Sequence, residues 1–370
     1  MRAALRRVAR ALKRPRETLR QLAAWARYWA RPSGGSGAAV WNQAAREYDA
    51  RLAAEQTIYK DMIDINVLPP IFHYWSNAYL RPMLEEYGCS NPDEFFANFL
   101  IDSATRSRAD ALRFVSLGAG NCDTEVRVAK LMRSRGLEAF IIDCLDINRP
   151  MLERGRAMAV AEGVQAHIAT TEIDFNDWTP AHRYAGAMAN QSLHHMLNLE
   201  GVFARVRDAL LPRAYFVVSD MIGRNGHQRW PEALAAVRKF WRELPEPYRY
   251  NRQLLRQEHE FLDWDCSVGG FEGIRAQDIL PLLLQTFSFE LFIGFANVID
   301  PFTDRGFGHN FDASSDWDRD LIDRIHAYDE AQLASGRLTP THMMAVMTTE
   351  AAVAPRYSRG LDPARSVRVP

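Results

Sequence analysis

Two histidine-bearing segments have the residue types of a proton-transfer site. His194 and His195 directly follow a short apolar run, and His227 lies in a polar segment flanked by glycine. Histidine exchanges its proton near neutral pH, and a general base accelerates a transfer reaction by typically about 10²–10⁴-fold. We therefore predict His194 and His227 as the candidate catalytic bases, with His194 as the first choice.

A second group of residues could bind a nucleotide. Gly118-Ala119-Gly120 ends one apolar run, and Asp146 ends the next. Glycines let the backbone turn tightly and approach a ligand, and an acid at the end of the following strand can accept hydrogen bonds from ribose hydroxyls. A dinucleotide site would carry a third glycine where Asp123 stands, and the negative charge of Asp123 would repel a pyrophosphate. A dinucleotide ligand is therefore disfavoured.

Alternating apolar and helical segments must position these residues. We predict strands near residues 112–117, 140–145, 166–170, 185–190, 214–219, 287–293 and 343–348. This alternation implies an α/β fold with a largely parallel sheet and helices on both faces. Ligands of open α/β sheets bind beyond the carboxyl ends of the strands. The rule places five residues on one rim of the sheet, namely Gly118, Gly120, Asp146, Asp174 and Asn190.

The segment from Leu112 to Asp220 resembles the core of the class I S-adenosylmethionine-dependent methyltransferases. The motifs that carry the resemblance, in the family's order, are Gly118-Ala119-Gly120, the Asp146 strand end, Glu172-Ile173-Asp174-Phe175 and Asn190-Gln191-Ser192-Leu193-His194-His195. S-adenosylmethionine carries a sulfonium cation and no phosphate, so Asp123 does not oppose it. The sequence departs from the family pattern at Ser116, where an acid is common, and at Arg213-Ala214, where paired glycines are usual.

The resemblance implies a fold, a cofactor and a reaction. The fold is a Rossmann-like seven-stranded methyltransferase sheet with helices on both faces, whose last two strands form an antiparallel edge. The cofactor is S-adenosyl-L-methionine, and the residues expected to bind it are Gly118, Gly120, Asn121, Asp146, Ile147, Asp174, Phe175 and Asn190. The reaction is in-line methyl transfer, and His194 resembles the catalytic histidine of the plant-type O-methyltransferases.

The chain is longer than this core, and its additional segments are expected to select the substrate. The predicted segments are a basic amphipathic leader at 1–31, a flexible linker at 32–39, a helical cap at 40–110, a methyltransferase domain at 111–350 and a tail at 351–370. Insertions at 221–284 and 296–341 lie where substrate-specific elements belong in this fold. The residues predicted to bind substrate are Arg229, Trp230, Glu272, Arg275 and His309. Aromatic, acidic and basic side chains suit a polyhydroxylated acceptor such as a sugar, and they suit a planar metabolite equally. We therefore expect a small-molecule or glycan hydroxyl as the acceptor.

The leader has a charge pattern of its own. Residues 1–31 carry ten basic side chains and one acid, with apolar residues at three- and four-residue spacing. Such a segment can lie on an anionic membrane surface, and it also resembles a mitochondrial transit peptide or a solvated, oligomer-forming helix. No apolar run approaches the roughly 18 residues of a membrane span. We expect a cytoplasmic protein, with peripheral membrane contact as one interpretation of the leader.

The composition and residue spacing disfavour nucleic-acid binding, disulfide bonds and a metal site. A net charge of −1 argues against a general nucleic-acid-binding surface, and four scattered cysteines without a C-x-x-C pair indicate reduced thiols. His227, Asp263, Asp265 and His309 lack the spacing of metal ligands, so no metal site is predicted. Two alternatives stay open. They are an NAD-dependent oxidoreductase or nucleotide-sugar enzyme, and a non-catalytic S-adenosylmethionine-binding regulator at a membrane surface.

Overall fold

The sheet that positions the site contains eight strands. A computed structural model describes residues 48, 50–54, 56, 67–108, 112–175, 178–352 and 354–368. The strands are β1 Leu112–Leu117, β2 Phe140–Asp146, β3 Ile168–Glu172, β4 Tyr184–Asn190, β5 Leu210–Met221, β6 Tyr250–Asn251, β7 Arg256–Gln257, β8 Ser288–Phe295, β9 His342–Thr348 and β10 Arg356–Tyr357. The main sheet has the order β10-β8-β9-β5-β4-β1-β2-β3, and β6 and β7 form a separate hairpin.

The topology confirms the predicted Rossmann-like methyltransferase sheet and corrects one detail of it. All seven predicted strands are present, and neighbouring strands from β3 to β5 pair in parallel. Strand β9 runs antiparallel to both β5 and β8. The predicted antiparallel pairing of the last two strands is confirmed, because β8 and β9 pair antiparallel. Their predicted position at the edge is wrong, because β10 from the predicted tail pairs in parallel with β8 and occupies that edge.

Helices cover both faces of this sheet. The helices are α1 Pro70–Trp75, α2 Arg81–Glu85, α3 Pro92–Ser107, α4 Asp123–Ser134, α5 Arg149–Ala161, α6 Leu199–Ala209, α7 Pro231–Trp241, α8 Ala276–Thr286, α9 Asp300–Thr303 and α10 Asp316–Ala334. Side chains alternate between the faces of a strand. In β1, Phe114 packs in the cluster of α3, α4 and α5, whereas Val115 packs in the cluster of α6 and α8. The sheet is therefore buried on both sides, as its apolar strands predict.

The two insertions build a third hydrophobic core above the carboxyl ends of the strands. This cluster joins α7, α10 and the loop before α9 to Ile71 and Trp75 of α1, and it includes the fully buried Trp241 and Phe302. The segment predicted as a cap at 40–110 therefore contains two helices, α1 and α3, that pack in different hydrophobic clusters. Helix α1 packs with the insertions, whereas α3 packs directly on the sheet because Phe95, Phe96 and Leu100 fill its inner face.

The predicted leader and linker at 1–39 lie outside the described residues, so the interpretations of the leader stay predictions. In the part of the chain that the structure describes, no helix is long and apolar enough to span a membrane.

Candidate active site

The glycine turn after β1 is fixed by contacts with two neighbouring strands. The Gly118 and Ala119 amides both donate to the Leu145 carbonyl, at 2.9 and 3.0 Å. Gly118 has a φ of +68°, and a Cβ placed on it would lie 2.4 Å from the Ser192 Cβ. The Ser192 hydroxyl in turn donates to the Leu117 carbonyl at 2.6 Å. Only glycine fits this position, because both the backbone angle and the space exclude a side chain.

Asp146 closes the same turn from the end of β2. One of its oxygens accepts from the Gly120 amide and the other from the Asn148 amide, both at 2.8 Å. Burial raises the pKa of Asp146, although these backbone N–H groups act in the opposite direction. A carboxylate oxygen has more than one lone pair, so Asp146 keeps acceptor capacity toward the cavity in front of it.

All eight residues predicted to bind the cofactor lie on one cavity of about 1430 Å³. Its lining includes Gly118, Gly120, Asn121, Asp146, Ile147, Asp174, Phe175 and Asn190. Asp174 accepts a hydrogen bond from the Tyr48 hydroxyl at 2.7 Å, and Asn190 donates to Thr124 at 3.0 Å. Asp123 also lines the cavity, in the first turn of α4. The acids around this rim suit a cationic ligand better than a pyrophosphate.

Glu125 is a rim residue that the sequence analysis missed. It lies in the first turn of α4, it is 2% exposed, and it accepts a hydrogen bond from the Ser116 hydroxyl at 2.6 Å. Burial raises the pKa of Glu125 to about 7, against the effect of this hydrogen bond. A carboxyl group therefore adjoins Ser116, the position where the family pattern has an acid. An acid on the apolar face of a helix, beside Val126 and Ala129, was the available signal.

His194 is held by a buried carboxylate that the sequence analysis also missed. The His194 Nδ1 lies 2.6 Å from an oxygen of Asp220, and both residues are buried. The second oxygen of Asp220 accepts from the Ser192 and Leu193 amides at 2.9 and 2.7 Å. Asp220 lies near the end of β5, so the rule that sites occur at the carboxyl ends of strands could have identified it.

Glu272 brings His194 and His227 together. Its Oε1 lies 2.6 Å from the His227 Nε2 and 3.4 Å from the His194 Nε2, and its Oε2 lies 3.6 Å from the His195 Nε2. His227 has a φ of +54°, which is uncommon outside glycine. The backbone is held there because the Gly226 amide donates to the Gly273 carbonyl at 2.9 Å.

These contacts give the two histidines opposite charge preferences. Burial lowers the pKa of His194, but the carboxylates of Asp220 and Glu272 outweigh burial and raise it to about 10. Burial lowers the pKa of His227, despite its hydrogen bond to Glu272. Burial disfavours the charge of Glu272 itself, yet its histidine partners hold its pKa well below the usual range. Positive charge is therefore concentrated on His194, between two carboxylates.

The structure places two of the five residues predicted to bind substrate on the cavity and the other three outside its lining. Arg229 and Glu272 line the cavity, as do the candidate bases His194 and His227. Trp230 instead packs between the guanidinium groups of Arg224 and Arg368.

Two more of these residues lie outside the cavity lining. Arg275 is buried in ion pairs with Glu200 and Asp278, and His309 is exposed on the surface. Their polar side chains serve the packing of the insertions or face solvent, so we do not retain Trp230, Arg275 or His309 as substrate contacts.

One group of charged residues in the cavity lining comes from both insertions and from β9. Arg229 lies 3.7 Å from Asp300, which also accepts a hydrogen bond from Thr341 at 2.7 Å and lies 3.3 Å from His342. Asp304 lines the same region. The cavity therefore has a nucleotide-type rim at one side, the histidine cluster, and a charged wall supplied by the insertions.

Comparisons with known proteins give similarity at the level of solved structures. The sequence matches no protein-family model and no curated protein. The geranyl diphosphate C-methyltransferase of Streptomyces coelicolor A3(2), with Mg²⁺, geranyl diphosphate and S-adenosyl-L-homocysteine, is similar over 69% of this chain and 78% of that chain, at 10% identity and a TM-score of 0.38. The O-methyltransferase of a trans-AT PKS multienzyme of Brevibacillus brevis, with S-adenosyl-L-homocysteine, is similar over 77% and 84%, at 11% identity and a TM-score of 0.38.

A third similar structure is named for a different reaction. The [4+2]-cyclase SpnF is similar over 69% of this chain and 82% of that chain, at 13% identity and a TM-score of 0.38. Likeness at these scores carries no argument about activity. The fold assignment rests instead on the strand order and strand directions of this chain.

Proposed function

We propose that this protein is an S-adenosylmethionine-dependent methyltransferase that acts on a hydroxyl of a small molecule or glycan. The observation that carries the proposal is the single cavity shared by the eight rim residues and the histidine cluster. A cofactor bound at the rim and an acceptor bound at the cluster would then lie in the same cavity. Holding two reactants in line can supply roughly 7–11 kcal/mol of a transfer barrier.

The rim has the groups that an adenosyl cofactor needs. Asp146 offers carboxylate oxygens for ribose hydroxyls, and Asp123 would place negative charge near a sulfonium or ammonium group. When bound, S-adenosylmethionine supplies a methyl group whose C–S bond breaks with its electron pair on sulfur, while a C–O bond forms and the acceptor loses its proton. The described residues of the N-terminal segment would close over this end, because Tyr48 contacts Asp174 and Gln56 donates to the Ile147 carbonyl at 3.3 Å.

The charged wall of the cavity is the proposed acceptor side. Arg229, Asp300, Asp304 and His342 come from the two insertions and from β9, and they can hydrogen-bond to several hydroxyls at once. The cluster of His194, His227 and Glu272 lies on the same cavity and would face the hydroxyl that loses its proton. A polar acceptor with several oxygens fits this lining better than an apolar one.

Ligand-dependent thermal unfolding tests the cofactor. Wild type, Asp146→Ala and Asp208→Ala are unfolded with S-adenosylmethionine, S-adenosylhomocysteine and NAD in parallel. Asp208 is an exposed aspartate paired with Arg207, so its variant is the matched control. A ligand at 100 times its Kd stabilises the protein by about 2.7 kcal/mol, which raises the Tm by several degrees.

The outcomes separate the proposal from its alternatives. Stabilisation by both adenosyl ligands, retained in Asp208→Ala and lost in Asp146→Ala, supports the proposed cofactor site. Stabilisation by NAD alone would instead identify an oxidoreductase. A screen of hydroxylated acceptors then follows the transfer of labelled methyl groups, and adenosyl binding without transfer to any cellular extract would favour a non-catalytic regulator.

A further inference from the structure

The cluster around Glu272 has the composition and spacing of a metal site. Among the described residues, His194, His227 and Glu272 each offer one ligand atom, and these atoms lie within 4.8 Å of one another. We propose that these three side chains bind a divalent first-row transition-metal cation such as Zn²⁺. Two histidines and one carboxylate on one side of an ion leave further coordination positions open, and this set suits Zn²⁺, Fe²⁺ or Co²⁺ better than Mg²⁺ or Ca²⁺.

The three ligand atoms lie close enough together to reach one ion after small side-chain movements. Metal bonds from histidine nitrogen and carboxylate oxygen are about 2.0–2.2 Å long, which places neighbouring ligand atoms about 3.0–3.5 Å apart. The Glu272 Oε1 is 3.4 Å from the His194 Nε2 and 2.6 Å from the His227 Nε2. The first distance fits, and the second requires a side-chain shift of less than about 1 Å.

Asp220 supplies an independent argument. A metal-binding histidine almost always donates its other ring N–H to a carboxylate or carbonyl, which fixes the ring orientation. The His194 Nδ1 contacts Asp220, which is buried and is itself held by two backbone amides. This arrangement directs the His194 Nε2 toward Glu272 and His227.

The other two ligands are also fixed before an ion binds. Gly226 and His227 both have left-handed backbone angles, and the hydrogen bond from the Gly226 amide to the Gly273 carbonyl joins the two loops that carry His227 and Glu272. A left-handed backbone at a residue other than glycine, as at His227, is common at functional sites. The Glu272 side chain is 34% exposed and lines the cavity, so the site is open to a ligand on one side.

The role of the ion in catalysis rests on the proposed function, whereas the measurement of metal binding does not depend on it. A bound cation would hold the acceptor oxygen, lower the pKa of its hydroxyl and allow the proton to leave to water. His194 would lose its Nε2 proton to solvent when the ion binds. His194 and His227 would then act as metal ligands, and neither needs to act as a free base. Their engagement with Asp220 and Glu272 agrees with this role.

Metal binding is measured on the full chain after removal of metals with EDTA. Zn²⁺ binding is followed by calorimetry, and Co²⁺ binding by the visible absorption of the ion. We expect one ion per chain, with His227→Ala and Glu272→Ala weakening binding by about 100-fold or more and Asp220→Asn by about 10–100-fold. His309→Ala is the matched control, because His309 is exposed and lies outside the cavity lining.

Two results would overturn the proposal. One is wild-type affinity no tighter than that of His227→Ala, and the other is binding that survives both His227→Ala and Glu272→Ala. Far-UV circular dichroism of the metal-free variants checks their folding. Glu272→Gln provides a second variant, since it keeps the shape of the side chain and one acceptor oxygen while removing its charge.

The thermal-unfolding experiment with adenosyl ligands, repeated in EDTA, keeps the two proposals separate. Stabilisation by S-adenosylhomocysteine without Zn²⁺ binding would leave the methyltransferase proposal intact and remove the metal. Zn²⁺ binding without adenosyl binding would support the proposed metal site and contradict the proposed methyltransferase function.

Discussion

Buried carboxylates with different environments determine how single residues of this site respond to pH and substitution. Glu125 is buried and accepts a hydrogen bond from one serine hydroxyl, whereas Asp220 accepts from two backbone amides and contacts an imidazole. Burial penalises the charge of both groups. Only Asp220 has partners that outweigh the penalty, and its pKa is lowered while that of Glu125 is raised.

Glu125 should make the folded protein less stable as the pH rises. Its pKa is about 7 in the folded state, against an ordinary value of 4.5. A raised pKa gives a stabilising contribution that is complete below pH 4.5 and is lost as the pH passes 7. Glu125→Gln removes this dependence and keeps an acceptor for Ser116. Relative to wild type, the variant should gain about 3 kcal/mol of unfolding free energy between pH 4.5 and 8, measured by urea unfolding.

Subtracting the stability curve of Glu125→Gln from that of wild type cancels the contributions of the other titrating groups. Asp123 and Arg127, which also influence Glu125, are present in both. Parallel stability curves for wild type and Glu125→Gln would show that this carboxyl has an ordinary pKa.

Asp220→Ala should destabilise the fold strongly. The substitution leaves the Ser192 and Leu193 amides and the His194 imidazole without their buried acceptor. Breaking a buried charged pair in this way costs about 3–5 kcal/mol. Asp220→Asn should cost less, because its amide oxygen can still accept from the backbone. Denaturant unfolding measures both, and equal losses for the two variants would contradict the role of the oxygen acceptor.

At the scale of elements, the loops after β1, β4 and β5 form one connected unit. Ser192 packs against Gly118, and Asp220 holds the first residues after β4. The cofactor rim and the histidine cluster therefore cannot move independently. A change in the β1 turn should alter the position of His194 as well as the rim.

Gly118→Ala tests this connection, and Gly163→Ala is its matched control. Both glycines have a φ of +68°, but a Cβ on Gly163 meets nothing within 4 Å. Each variant carries the cost of about 1–2 kcal/mol for a left-handed alanine. Gly118→Ala carries a further cost of about 1–3 kcal/mol from overpacking against Ser192. Urea unfolding should therefore rank the control above it, and equal stabilities would mean that the two loops are not in contact.

At the scale of the whole molecule, residues from three hydrophobic cores of the described chain line the cavity. Two lie on the faces of the sheet, and the third joins the insertions to α1. The insertions are therefore folded elements that share a core with the rest of the chain. Their hydrogen bonds connect them directly, since the Asn310 amide donates to the Tyr250 carbonyl at 2.7 Å.

The rate at which a reagent modifies the cysteine thiols should reflect how tightly these cores are packed. The four cysteines are free thiols in the described part of the chain. Cys89, Cys122 and Cys144 are buried, and Cys266 is half-buried. Burial raises the pKa of Cys266 to about 12, which leaves little thiolate to react. A thiol reagent should therefore modify at most one group slowly in the native protein and four in denaturant. Rapid reaction of two or more native thiols would indicate a looser molecule.

Much of the fold could be predicted because its signals are local. Strand and helix periods repeat over a few residues, and Gly118, Gly120 and Asp146 stand where their strands end. In a parallel sheet these ends meet at one edge, so five residues were expected on one rim, and the structure places all five, Gly118, Gly120, Asp146, Asp174 and Asn190, on one cavity. Strand β10 was missed because a two-residue strand has too short a pattern to detect.

The sequence by itself determined the sheet, its rim and the class of ligand that the rim suits, since these follow from residue types at strand ends. Only the tertiary structure decided which side chains accompany the histidines. Glu272 is 45 positions from His227, and Asp220 is 26 positions from His194. No local period relates residues so far apart. Asp220 meets His194 because β4 and β5 are neighbouring parallel strands, whereas Glu272 meets His227 because the insertion folds back over the sheet. The tertiary structure also places Trp230, Arg275 and His309 outside the cavity lining. Trp230 and Arg275 pack against other side chains and His309 faces solvent, although their residue types had suggested substrate binding.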